Sequence, residues 1–267
     1  METPLDRNGT TRVRIAFFFL VVFIVSMSVG AYFMADLRKL QESVAVRESQ
    51  TLLQGVADSN QFDQALRKRP ANKILQTIAA AAKAAGETGI AADTMSAEVE
   101  PPSIAKSPDL RTASRTDLEA LERDLKTAEA NANGFVPRYV ALLKTERNAV
   151  ENFARSQHME KDTVSKFLER LDNRHAKMIS LASELTGARA DYYRAYASYV
   201  GILIREFSAY KVVNGQFIFP FQRTVDRYNL AAHAMGSAAK RVAELEEERK
   251  IVASSQAEVW EQFVDRK

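Results

Sequence analysis

The chain has 267 residues, 46% hydrophobic and 27% charged, which suits a folded protein of one or two domains rather than a disordered one. Its 37 basic and 34 acidic residues leave a formal net charge of +3, and no basic stripe with interleaved aromatics occurs, so no nucleic-acid partner is expected. There is no cysteine, which excludes disulfides, Cys-ligated zinc, iron–sulfur clusters, thiol nucleophiles and the lipidated cysteine of a bacterial lipoprotein.

A short basic tail, residues 1–12, leads into an apolar segment, Val13 to Met34. From Ile15 to Met34 it holds no charged residue and is rich in Phe, Val, Ile and Leu. A helix of that length roughly spans a ~30 Å hydrocarbon core. Arg7, Arg12 and Arg14 precede it, and Asp36, Arg38 and Lys39 follow. The preferred reading is an uncleaved signal anchor, a single transmembrane helix. The alternatives are a signal peptide cleaved at Val29-Gly30-Ala31 and, last, a buried core helix. Positive charge is nearly balanced across the segment, but a short basic tail ahead of a long chain favours N-in, C-out. The expected location is a bacterial inner membrane, single-pass, with the bulk of the chain in the periplasm. Ser26 and Gly30 form a small-x-x-x-small pair, which is common in membrane helices without special meaning.

Residues 35–85 read as a membrane-proximal helical segment. Leu37, Leu40, Val44, Leu52 and Val56 recur at helical spacing, with a break at Asp58-Ser59-Asn60. A second stretch, Gln61 to Ala85, is interrupted by Pro70 and ends in an Ala-rich run. Its Arg67-Lys68-Arg69 cluster suits either an anionic surface or, more commonly, a solvated helix face. Gly86 to Ser114, with Gly86, Gly89, Pro101, Pro102 and Pro108, reads as a disordered linker.

Residues 115–267 read as a helical bundle domain. Leu118, Leu121 and Leu125 open it, a softer stretch follows at Asn131–Gly134, and Pro137 suits the first turn of a new helix or a kink. From Val164 the seven-residue steps Val164, Leu171, Met178, Leu185, Tyr192, Tyr199 and Phe167, Arg174, Leu181, Ala188, Ala195, Ile202 predict a coiled-coil-like seam. Val212 to Phe219, with Asn214-Gly215 at its centre, predicts a small β-hairpin ended by Pro220. A last helix is expected over about Gln222 to Val264, with Val225, Tyr228, Ala232, Met235, Val242 and Leu245 facing inward and Trp260 at the base. Long helices joined by short connections imply antiparallel neighbours.

No constellation for catalysis is evident. His158, His175 and His233 lack metal-ligand spacing to one another or to carboxylates, and each reads as a surface or seam residue. There is no phosphate loop, dinucleotide fingerprint or Gly-x-Ser-x-Gly elbow. No metal or cofactor is expected. The richest cluster is aromatic: Tyr192, Tyr196 and Tyr199 at helical spacing, with Phe207 and Tyr210 following, then Phe217, Phe219, Phe221 and Tyr228 around the hairpin. Tyr192, Tyr196, Tyr199, Phe217, Phe219 and Tyr228 are the candidate ligand or partner groove. The competing and commoner reading is an aromatic core layer whose tyrosine hydroxyls find partners in Arg194 or Asp226.

Three features of the C-terminal half, Phe135-Val136 with Tyr139, Asn214-Gly215 followed by Phe219-Pro220, and Tyr228-Asn229, resemble an uncharacterised family of bacterial envelope lipoproteins with a helical domain of unknown function. That family is anchored by a lipidated cysteine, where this chain has a membrane segment. The resemblance implies an envelope location and carries no activity.

The expected protein is therefore mainly α: one N-terminal transmembrane helix, a disordered linker, and a C-terminal antiparallel long-helix bundle with a small β-hairpin. Its expected role is non-enzymatic, a membrane-anchored interaction or scaffold module with a protein partner or self-association. The alternative is a ligand-sensing bundle acting with a separate signalling partner, against which stands the short tail before the anchor.

Overall fold

The computed structural model describes residue 64, residues 66–106 and residues 108–264, with side chains described as far as Ile251 (Ala105 excepted). The apolar segment 13–34, the heptad-like stretch 37–56 and the Trp260 side chain lie outside the described residues. Among the described residues no helix is long and apolar enough to cross a membrane.

The elements in chain order are α1 (Lys73–Val99), α2 (Pro102–Ala105), α3 (Arg115–Ser156), α4 (Lys161–Arg205), β1 (Lys211–Val213), β2 (Gln216–Ile218) and α5 (Gln222–Val264). The mainly helical class and the small hairpin are as expected.

Pro70 breaks the chain as anticipated, and Asn72 restarts it. The Asn72 side-chain oxygen accepts hydrogen bonds from the backbone N–H groups of Ile74 (3.1 Å) and Leu75 (3.2 Å), satisfying two donors that the first turn leaves open. From there α1 continues past Ala85 through Gly86 and Gly89 to Val99. The first part of the expected linker, 86–99, is therefore helical. The reason is tertiary: Ala92, Met95 and Val99 are buried, and that burial outweighs the roughly 1 kcal/mol that each helical glycine costs. Asn131 of α3 donates from its side-chain nitrogen to the Glu98 carbonyl at 2.9 Å, and Arg138 pairs with the Glu98 carboxylate at 2.6 Å, so the last turn of α1 is held from the neighbouring helix.

A reciprocal cap starts α3. The Ser114 hydroxyl accepts from the Asp117 N–H (3.2 Å), while the Asp117 carboxylate accepts from the Ser114 N–H (3.0 Å) and hydroxyl (2.7 Å). That hydrogen bonding holds the Asp117 carboxyl below its ordinary range. Of the two expectations at Pro137, a new helix or a kink, no new helix starts there: α3 runs through it as one element. Pro137 and Asn133 both face solvent, a position where a missing helical N–H costs least. The buried stripe Leu118, Leu121, Leu125, Ala128, Ala132, Phe135, Tyr139, Leu143 steps by three and four without interruption. At the far end His158 takes the left-handed conformation (φ 50°) and the Met159 N–H reaches back to the Ala154 carbonyl at 3.4 Å, the turn that usually uses glycine.

The seam of α4 departs from a strict heptad. Leu171, His175, Leu185, Arg189, Tyr193, Tyr196, Val200 and Leu203 are buried, whereas Tyr192, Met178, Leu181, Ala188 and Ala195 are only half-buried. Phe167, Leu171, Leu185, Tyr199 and Ile202 of the expected seam are buried, but beside Tyr192 it is Tyr193 that is buried, because a straight helix drifts by ~20° per heptad and widens the buried stripe.

Contact density divides the chain into two compact units. In the first, Ile74, Leu75 and Ile78 of α1, Leu143 and Val150 of α3, and Phe167 and Leu171 of α4 supply the core. Arg147 pairs with Asp172 at 2.7 Å, and His175 meets Glu146 at 3.2 Å, so partners descend along α4 as they ascend along α3: the two helices are antiparallel. The second unit contains the end of α1, α2, the first part of α3, the second part of α4, the hairpin and most of α5. There Arg189–Glu246, Tyr199–Tyr228 and Glu206–Thr224 descend along α5 as α4 ascends, again antiparallel. The boundaries expected at 85 and 114 do not separate these units, because α1 contributes residues to both.

β1 and β2 pair antiparallel, with Lys211 opposite Ile218, Val212 opposite Phe217 and Val213 opposite Gln216. Asn214 and Gly215 have φ of 51° and 78°, the two left-handed residues that a tight hairpin turn with native twist requires.

Candidate functional site

The aromatic site is built on α4, the hairpin and the start of α5. In the hairpin, directly opposed residues share a face, so Val212 and Phe217 point one way, and Phe219 continues that face. Tyr210 meets Phe217 and Phe219 edge-on at 5.2 and 5.8 Å. Tyr228 packs against Phe219 at 5.0 Å, against Phe217 at 5.8 Å and against Tyr199 at 5.0 Å. Such ring pairs contribute about 0.5–1.5 kcal/mol each beyond area burial. The Tyr199 and Tyr228 hydroxyls lie 2.8 Å apart. Burial, then that hydrogen bond, raise the Tyr199 phenol above its usual range.

Of the six expected residues, the structure brings Tyr199, Phe217, Phe219 and Tyr228 together. It places Tyr192 and Tyr196 against each other instead, centroids 5.8 Å apart, with Tyr193 beside Tyr192 at 5.6 Å. The expected hydroxyl partners also differ. Arg194 is held by Glu129 (2.8 Å) and Asp191 (2.9 Å), and Asp226 accepts from Gln222 (2.8 Å). Tyr210, absent from the six, is central because the turn after α4 folds it under the hairpin; its i+7 distance from Phe217 carries no helical signal.

The rings pack on one another, and among the described residues no buried side-chain nitrogen or oxygen lacks a partner. Tyr228→Phe therefore acts as a core change. It leaves the Tyr199 hydroxyl without its partner and lowers stability by about 1–2 kcal/mol, while the double variant with Tyr199→Phe recovers much of that loss. Urea unfolding of the three variants measures this; a double variant no more stable than either single would contradict it.

A separate open groove of about 670 Å³ lies in the second unit, floored by Ala195, Ser198, Gly201, Ala231 and Ala234 and rimmed by Glu122, Lys126, Glu129 and Arg194. None of the six aromatic residues lines it. Two rim charges are satisfied within it, Lys126 with Glu122 at 2.9 Å and Arg194 with Glu129.

Four ionisable groups take packed positions; of these only His175, read as a surface or seam residue, is noted in the sequence. Arg189 is only 8% exposed and sits 2.7 Å from Glu246 and 3.2 Å from Glu100. In the first unit, the buried His175 ring meets the buried Glu146 carboxylate. Asp93, half-buried on α1, is pushed from an ordinary value near 3.8 up to about 6 by burial, against the pull of Arg249. By linkage, a carboxyl whose folded pKa is raised favours the folded state fully below pH ~4, and that contribution is lost as pH rises through about 6. Asp93→Asn, which cannot ionise, thus raises stability by about 1 kcal/mol at pH 8, a value already reduced for solvent screening, and changes nothing near pH 3.5. Melting curves at the two pH values check it; an equal gain at both would refute it.

Among the described residues no cluster of His, Asp and Glu could hold a metal ion. Comparison with protein-family models, with curated proteins and with solved structures finds no match.

Proposed function

We propose that this protein is a membrane-anchored, non-enzymatic module of the bacterial cell envelope that presents a helical bundle outside the cytoplasm to a protein partner or to a second copy. The observation that carries this reading is the uncharged apolar run from Ile15 to Met34, followed by a long chain with antiparallel helices. The resemblance of Tyr228-Asn229 and the Asn214-Gly215 turn to envelope lipoproteins accords with that location. Packing supports the binding role. The rings nearest the hairpin are engaged with one another, which leaves surface residues such as Leu230 (73% exposed) as contact points.

The alternative reading, a ligand-sensing bundle, draws on the groove beside Gly201, which is large enough for a small molecule. Affinity purification of the full chain from its membrane after crosslinking separates these. The scaffold reading expects a stable protein partner or a homodimer. Recovery of monomer alone overturns it, and a small molecule retained with that monomer favours the sensor.

A further inference from the structure

The hairpin has a second face. Lys211, Val213, Gln216 and Ile218 alternate away from the ring cluster, and Val213 and Ile218 are 50% and 51% exposed. Phe221, three residues past Ile218, is 67% exposed, and Val212 is 39% exposed at the edge. A two-stranded element needs no apolar residues on its solvent side, where polar ones would serve.

The sequence flanking the hairpin is net positive. Residues 205–223 carry Arg205, Lys211 and Arg223 against one carboxylate, Glu206. Glu206 is already engaged, accepting from the Thr224 hydroxyl at 3.2 Å with Arg227 3.6 Å away. Arg205, Lys211 and Arg223 are exposed and make no ion pair among the described residues. Exposed apolar side chains on the same hairpin face as Lys211, with Arg223 two residues past Phe221, match an anionic lipid surface: the apolar groups enter the interface and the cations hold the headgroups.

We infer that the open face of the hairpin docks on the anionic bilayer, with Val213, Ile218 and Phe221 inserted and Lys211 and Arg223 on the headgroups. This rests on the proposal that 13–34 anchors the chain. The anchor makes docking intramolecular. Docking on the membrane that holds the anchor is then favoured by a high effective concentration.

The absence of native cysteine allows a direct test. The full chain carrying Gln216→Cys, labelled with a polarity-sensitive dye, is reconstituted into phosphatidylcholine vesicles with and without phosphatidylglycerol. Lys240→Cys, on an exposed part of α5, is the control label. The expected result is that the chain floats with both vesicles, but the Gln216 label shifts to the blue only with phosphatidylglycerol. Lys211→Glu with Arg223→Glu should lower the docked fraction about fivefold or more, as should high salt. A chain that floats with both vesicles and shows the same emission in each overturns the hairpin inference alone. An equal shift in neutral vesicles also overturns it, because the cations would then be irrelevant. A chain that floats with neither overturns the anchor and the inference together.

Discussion

Arg189→Met lowers stability by about 2–3 kcal/mol, one of the two largest single-residue effects expected in the protein. Methionine has the volume and flexibility to fill the site, so packing alone would make this substitution mild. The loss comes from what remains. Glu100 and Glu246 approach the same guanidinium at 3.2 and 2.7 Å, and without it two carboxylates face each other across a partly desolvated space. Burial opposes the charge on Arg189, but the Glu100 and Glu246 carboxylates more than offset it, so the guanidinium is held in its charged form. The carboxylates are themselves 48% and 31% exposed, which keeps the effect below that of a fully buried pair. Arg189→Lys recovers only part of the loss, because one ammonium cannot reproduce a planar fork to two acceptors. Arg189→Met with Glu246→Gln recovers more, because it removes the repulsion. Chemical denaturation of the four proteins tests this; an Arg189→Met protein as stable as the parent would contradict it.

His175→Leu costs about 3 kcal/mol. The His175 and Glu146 side chains are 8% and 2% exposed and meet at 3.2 Å. Leucine fills the space but leaves the Glu146 carboxylate buried without its hydrogen-bond partner, and stranding one member of a buried pair is the costly change. Replacing both, His175→Leu with Glu146→Leu, brings the protein back to within about 1 kcal/mol of the parent. A thermodynamic cycle over the two singles and the double reads the coupling directly. If the losses simply add, the pair does not interact in the way its geometry implies.

Much of the architecture is legible in the order of the residues. Asn214-Gly215 announces its turn because only left-handed residues fit a tight hairpin, and both take that conformation. The last helix begins at Gln222, directly after Pro220 and Phe221, as its apolar spacing indicates. The misreadings have a common cause. Gly86, Gly89 and Pro137 are punctuation by local propensity, yet α1 passes the first two and α3 passes the third. Burial of Met95 and Val99 carries α1 onward, and the solvent-facing position of Pro137 makes its missing N–H cheap. The heptad on α4 assigned Tyr192 to the seam, and helical drift buries Tyr193 instead.

The candidate site divides in the same way. Tyr199 and Tyr228 are both apolar-face residues in sequence, but nothing in their spacing says that their hydroxyls meet; that requires α4 and α5 to be antiparallel with a particular offset. Tyr210 and Arg189 are also invisible to periodicity, since each draws its meaning from residues on other elements.

The features that follow from the chain alone are local: the helical class, the hairpin turn, the apolar stripes, and the uncharged run at 15–34 that motivates the membrane reading. These depend on backbone preference and side-chain spacing within one element. Packing between elements sets the rest: how far α1 extends, which tyrosines join the ring cluster, which face of the hairpin is left to solvent, and that Arg189, Asp93 and His175 with Glu146 take packed positions. Desolvation and ion pairing depend on distances between elements, and those distances are set by how the helices pack, not by position along the chain.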